Sequence, residues 1–228
     1  MADDYLSDRE QEEALRAWWR DNWRWILGGI VLGVALLVGY FQWQDYRQSK
    51  AESASIEYEK VREAAEQNNL EQAQAALASL AADHDASPYA QQARLLVAKL
   101  QVEAAKYDEA ATELRAVVAK SEDKELAAIA KLRLARVLIQ QGKYDEAIAL
   151  LDIERLGAFA AAGREIRGDA QVAKGDENAA RAEYAAALAA NDSQIDRPLL
   201  EMKLQEVGGA AAPAAGDAPT DAKAQGQP

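Results

Sequence analysis

The chain has 228 residues, with 26 basic and 38 acidic side chains, a net charge of −12 and no cysteine. An acidic balance of this size excludes strong nucleic-acid binding, which needs a basic footprint. The missing thiols exclude a disulfide framework, a cysteine nucleophile and a cysteine metal site.

Residues 1–24 begin acidic (Asp3, Asp4, Asp8, Glu10, Glu12, Glu13) and then turn aromatic and basic. Ser7-Asp8-Arg9-Glu10 has capping-box spacing, a hydroxyl at the N-cap and a carboxylate three residues on. Leu15, Trp18, Trp19 and Trp23 fall on one helical face, with Arg16, Arg20 and Arg24 recurring beside it. This is the pattern of a short amphipathic helix at a membrane surface.

From Trp25 to Trp43 no residue is charged, and Gln42 alone is strongly polar. At about 1.5 Å per residue such a helix covers roughly 28 Å, close to the ~30 Å hydrocarbon core of a bilayer. Inside lipid the run must be helical, because a helix satisfies its own backbone groups. All five tryptophans lie between positions 18 and 43, and Tyr40, Phe41 and Tyr46 gather at the far end, as interfacial belts do. The run is longer than a signal-peptide core, follows 24 mostly polar residues and precedes QDYRQSK, which offers no small-residue cleavage site. An uncleaved anchor is expected. Arg16, Arg20 and Arg24 precede it, against Arg47 and Lys50 after it, so the positive-inside rule favours a cytoplasmic N-terminus by one residue. Gly29 and Gly33 have the G-x-x-x-G spacing that permits close helix pairing.

Residues 44–67 lack glycine and proline and are predicted to form a helical stalk running into the first helix of a repeat. The repeat shows in the turns. AKYDEA at 105–110 matches GKYDEA at 142–147 at a shift of 37, and GDENAA at 175–180 follows at a shift of 33. One step back lies Asn68-Asn69-Leu70-Glu71-Gln72-Ala73. Each turn separates two alanine-rich segments, which predicts helical hairpins. Gly or Asn closes the first helix in a left-handed cap, and acidic residues favour the start of the second. Ala73, Ala110, Ala147 and Ala180 permit close packing, with Leu77, Leu114, Leu151 and Tyr184 four positions on. Ser87-Pro88 and Ser121–Asp123 are further helix starts. Residues 198–207 are predicted to form a capping helix, and 208–228, rich in Ala, Pro and Gly, to be disordered.

No catalytic constellation is found. His84, the one histidine, sits in Asp83-His84-Asp85 at a helix-ending turn, where a single imidazole is a poor metal site. Serine lacks a usable base, and no phosphate-cradling glycine loop is present. Asp108-Glu109 and Asp145-Glu146 recur in register with the turns, which assigns them to helix capping. The expectation is a binding protein, not an enzyme, with no cofactor, no metal and no nucleic-acid partner.

The hairpins resemble the tetratricopeptide repeat. The copy beginning at Ala128 carries Leu134, Ala135, Gly142, Tyr144, Ala147 and Leu151, but departs at Lys131 and Phe159, where the family has tryptophan and proline. The copy at Gln91 keeps Val97, Ala98, Tyr107, Ala110 and Leu114. The copy at Ala161 keeps Gly168, Gly175, Ala180 and Tyr184, with Arg167 at an apolar position. In that register positions 2, 5 and 9 of each first helix face a concave groove for partner proteins. These are Gln92, Leu95 and Lys99, then Ile129, Leu132 and Arg136, then Ala162, Glu165 and Asp169.

The expected fold is all-α, one transmembrane helix followed by an α-solenoid of about four tetratricopeptide-like hairpins. Its divisions are a tail with a juxtamembrane helix at 1–24, the span at 25–43, the stalk and first helix of repeat 1 at 44–67, repeats and capping helix at 68–207, and the tail at 208–228. The arrangement, together with ILGGIVLGVALLVGYFQW, QDYRQSKAESAS and LAAIAKLRLARVLIQQGKYDEAIALLD, resembles the ancillary SecYEG translocon subunit family of bacterial inner membranes. The resemblance implies a cytoplasmic N-terminus and a periplasmic repeat domain. It further implies association with the SecYEG translocon and a membrane-anchored parvulin-type periplasmic chaperone, helping exported client proteins reach the periplasmic chaperone network. An alternative it implies is regulation of envelope-stress signalling through the N-terminal tail. A cytosol-facing repeat adaptor is a third reading, but Lys99 and Arg136 lack the asparagine companions of a carboxylate clamp.

Overall fold

Despite the four glycines of the uncharged run, that run and the glycine-free stretch after it lie in one helix, α1 (Ala2–Glu66), in the computed structural model. The structure describes residues 2–190, 192 and 195–209, with backbone alone for 2–8, so most of the expected disordered tail lies outside the described residues. Helices α2 (Leu70–His84), α3 (Pro88–Glu103), α4 (Tyr107–Lys120), α5 (Lys124–Gln140) and α6 (Tyr144–Leu150) follow. Two short 3-10 turns, Ile153–Arg155 and Gly157–Phe159, lead to α7 (Ala160–Lys174), α8 (Glu177–Ala189) and α9 (Arg197–Glu206). There is no strand among the described residues. The chain divides into two units, Met1–Ser53 and Ala54–Pro228.

In the first unit the helix begins at Ala2, upstream of the expected cap at Ser7. No break separates the amphipathic segment from the apolar run, so the two share one helix. The apolar run is long enough to cross a membrane, and none of its most apolar 18-residue window is buried. Ile30, Val31, Leu32 and Leu36 are all more than half exposed. Such a surface is excluded from water only by lipid or by other helices.

In the second unit the repeats pair residues 54–66 of α1 with α2, α3 with α4, α5 with α6, and α7 with α8. The four intervening turns share one geometry. Asn68, Ala105, Gly142 and Gly175 all have positive φ, between 54° and 84°. After each of them an amide reaches back five residues: Asn69 to the Ala64 carbonyl, Lys106 to Gln101, Lys143 to Leu138 and Asp176 to Gln171, at 2.7–2.9 Å. That pair of features ends a helix without orphaned carbonyls. The small residues after the turns are almost inaccessible: Ala73, Ala110 and Ala180 at 0% and Ala147 at 1%. Leu77, Leu114, Leu151 and Tyr184 are buried as well.

Helix starts are chemically marked. The Ser87 hydroxyl accepts from the Ala90 amide with Pro88 in the first turn, and Asp123 accepts from the amides of Glu125 and Leu126. The recurrent acids correct the capping expectation. Lys106 and Lys143 hold the N-cap positions with no side-chain cap, and the acids follow in the first turn. The two aspartates bridge successive turns instead. Asp108 accepts from the Gln141 amide at 3.0 Å and lies 3.9 Å from Lys143, while Asp145 meets Lys174 at 2.5 Å.

The third repeat departs most from its siblings. Its second helix has seven residues, after which the chain tucks Leu156 under α7 against Gly163, where a Cβ would stand 2.3 Å from the Leu156 Cδ1. Arg167, at an apolar position of the pattern, meets Glu183 at 2.8 Å, and Arg164 meets the same carboxylate at 3.3 Å. At the C-terminal end α9 buries Leu200 and Leu204 against Ala180, Tyr184 and Leu188. Gly208 and Gly209, assigned to the tail by composition, close α9, with the Gly209 amide bonded to the Leu204 carbonyl at 2.8 Å.

Candidate groove between the first helices

Helices α3 and α5 are each the first of a hairpin, so the faces turned away from their partners are left to line a groove. A cavity of about 650 Å³ opens there. Ala98 and Val102 of α3, Leu114 of α4, and Val137 and Ile139 of α5 give it an apolar surface. Lys99, Glu103, Arg133, Arg136 and Gln140 supply its polar lining, and Tyr107 and Asp169 complete the wall. Apolar surface with a few placed charges can take the side chains of a polypeptide segment.

The structure sorts the expected groove residues into three groups. Lys99, Arg136 and Asp169 come together in the cavity wall. Leu95 and Leu132 do not line it. They are 7% and 6% exposed and belong to the main core, so the stripe is closed at these positions and opens one turn further along each helix. Gln92 is exposed and Ile129 half-buried, and both lie outside the cavity wall, while Ala162 packs on the core. Glu165 is taken by the capping helix: the Lys203 ammonium sits 2.7 Å from it and 2.8 Å from Asp169. The Tyr184 hydroxyl also donates to Asp169 at 2.8 Å. Burial raises the Tyr184 pKa, and its bond to Asp169 adds to the effect. Burial works against the Lys203 charge, yet bonds to Asp169 and Glu165 outweigh it and raise its pKa. Val102, Tyr107, Arg133, Ile139 and Gln140 were missed by the register argument. Helical spacing offered the signal, because Val102 lies three residues beyond Lys99, and Arg133 and Ile139 flank Arg136 at the same interval.

The charges around the cavity differ in how they are matched. Lys99 pairs with Glu103 at 3.7 Å. Asp169 is matched by Lys203 and Tyr184. Arg133 and Arg136 are exposed, and no hydrogen bond or ion pair to another described residue is found for either guanidinium.

The Asp83-His84-Asp85 turn has a structural part that spacing alone did not reveal. Asp85 receives Arg94 at 2.7 Å and also Lys120, tying the α2–α3 turn to α3 and α4. The Lys120 bond, and then the Arg94 bond, hold the Asp85 carboxyl below the usual carboxylate range. Arg94 reaches Glu113 as well, at 2.5 Å. No cluster of three or more metal-ligating side chains is found among the described residues. In the apolar helix a Cβ added at Gly29 or Gly33 would meet nothing within 4 Å, so that face is open to close approach.

Comparison with known proteins matches residues 16–209 to a family described as tetratricopeptide repeat-like domain. The chain is 29% identical over 203 residues to the "Ancillary SecYEG translocon subunit" of Escherichia coli (strain K12), covering 89% of this chain and 98% of that protein. It is 31% identical over 205 residues to the protein of the same description in Haemophilus influenzae, covering 89% and 99%. Its counterpart in Aggregatibacter actinomycetemcomitans is 30% identical over 204 residues, with the same coverage of 89% and 99%.

Proposed function

The chain belongs to the ancillary SecYEG translocon subunit family, and on that footing we propose that it is a membrane-anchored protein-binding scaffold of the Sec translocon. The observation that carries this reading is the extent of the likeness, which takes in the apolar helix and the repeats together and covers 98% and 99% of two relatives. Residues 25–43 cross the inner membrane once, with the N-terminus cytoplasmic and the repeats periplasmic. The groove holds segments of partner proteins, and the protein acts by binding, without chemistry of its own. A membrane-anchored parvulin-type chaperone is the expected neighbour, and exported proteins are the expected clients. Tethering raises the effective concentration of the groove beside the pore, so a weak individual contact suffices. Gly29 and Gly33 offer the face on which a translocon helix packs.

In-cell photo-crosslinking tests this reading. A crosslinking amino acid placed singly along positions 26–50, and at Lys99 and Arg136, should recover translocon subunits from the first set and a chaperone or exported chains from the second. Recovery of no translocon subunit from any span position would overturn it.

A further inference from the structure

The repeat unit, residues 54–209, contains ten arginines. Eight have a partner: Arg62, Arg94, Arg115, Arg155, Arg164, Arg167 and Arg197 meet carboxylates, and Arg181 donates to the Val207 carbonyl. The two for which none is found among the described residues are Arg133 and Arg136, and both line the apolar cavity between α3 and α5. In a chain of net charge −12 this is an uneven placement, because carboxylates are plentiful and yet neither guanidinium is matched among the described residues.

Guanidinium is the side chain best suited to hold a carboxylate through two parallel hydrogen bonds, and it loses less hydration than ammonium when it does so. Arg133 and Arg136 are three residues apart on α5, so their bases are about 5–6 Å apart on one face. Beside them, Val102, Val137 and Ile139 supply apolar surface. The carboxylates already in the wall are committed elsewhere, Glu103 to Lys99 and Asp169 to Lys203 and Tyr184. We propose that this groove selects acidic amphipathic segments of other polypeptides, whose apolar side chains cover the cavity surface while Asp or Glu side chains pair with Arg133 and Arg136. The inference rests on the reading of the groove as a protein-binding surface, and adds which segments it takes.

The test uses the full chain in detergent micelles and two short dye-labelled peptides. One carries leucines at three- and four-residue spacing with glutamates beside them, and the other has lysine in place of every glutamate. Fluorescence anisotropy should show the glutamate peptide bound at least about tenfold more tightly, with affinity falling as salt rises. The double variant Arg133→Glu/Arg136→Glu should lose that preference or reverse it. Lys124→Glu, at the start of α5 and outside the cavity wall, should retain it. Both arginines are exposed, so an unchanged circular-dichroism melt will show that the double variant folds. Equal binding of both peptides, or an unchanged preference in the double variant, would overturn the proposal. So would self-association that depends on Arg133 and Arg136, which would make a second copy the occupant, or a gain of about tenfold on removing residues 210–228, which would make the chain's own tail the occupant. Failure here with translocon crosslinks intact rejects the selectivity alone, whereas peptide selectivity without crosslinks rejects the translocon reading.

Discussion

A methyl group added at Gly168 would stand 2.3 Å from Cε1 of the Tyr184 ring, so α7 and α8 meet with a ring lying where a side chain would otherwise be. Tyr184 is 2% exposed. Gly168→Ala should therefore force the ring from its place and cost about 1–3 kcal/mol, the usual range for overpacking a tight core. The thermal midpoint of the repeat unit by circular dichroism should fall. Adding Gly168→Ala to Tyr184→Leu should cost much less than adding it to the parent, because the clash is gone. Equal costs in both backgrounds would show that the contact does not govern this pair.

Two matched turns test the backbone. Ala105 has φ +56° and Gly142 has φ +73° at equivalent places in successive repeats. An L-residue in this region is strained by roughly 1–2 kcal/mol, a strain glycine avoids. Ala105→Gly should raise stability by up to about 1 kcal/mol, and Gly142→Ala should lower it by a similar amount. Chemical denaturation with an unchanged m-value is the appropriate readout. Destabilisation by Ala105→Gly would contradict the assignment of the turn.

Asp85 makes the acid response specific. Its pKa is lowered in the folded chain by Lys120 and then Arg94, so its contribution is fully present above the ordinary carboxylate value. The contribution is lost as pH falls through the folded value, below about 4. Asp85→Asn should destabilise the chain at neutral pH and should leave a shallower loss of stability on acidification. Denaturation midpoints measured from pH 6 down to pH 3 check both parts, and parallel curves for parent and variant would contradict it.

The ladder of turn charges should matter far less than the alanines beside it. The Asp145 side chain is 86% exposed, and exposed pairs contribute about 0–1 kcal/mol, so Asp145→Ala should change stability by less than about 1 kcal/mol. Ala147 is 1% exposed, and Ala147→Leu should cost about 1–3 kcal/mol by overpacking the hairpin. A larger loss from Asp145→Ala than from Ala147→Leu would reverse this ordering.

The hairpins were legible because local chemistry dictates them. Asn68, Gly142 and Gly175 are residues that tolerate a left-handed cap, and Ala73, Ala110, Ala147 and Ala180 leave room where two helices meet. The early end of α6 was not legible, since it depends on Leu156 finding the space left by Gly163 on a later helix. Asp85 hid its role for the same reason, its partner Lys120 being 35 residues away. The groove was half legible. Register put Lys99, Arg136 and Asp169 on one surface, but neighbouring helices closed over Leu95 and Leu132, and helix α9, through Lys203, claimed Glu165. Closure by a neighbour is a tertiary fact that a single-helix register does not contain.

The proposed function requires residues 25–43 to hold the repeats on the periplasmic face of a membrane, where the groove would meet exported chains. Protease treatment of intact spheroplasts, followed by detection of epitopes at both ends of the chain, decides the orientation. With the repeats periplasmic, residues 54–209 are degraded while the N-terminal epitope and the span survive until the membrane is lysed. Repeats protected in intact spheroplasts and cleaved only after lysis would contradict it.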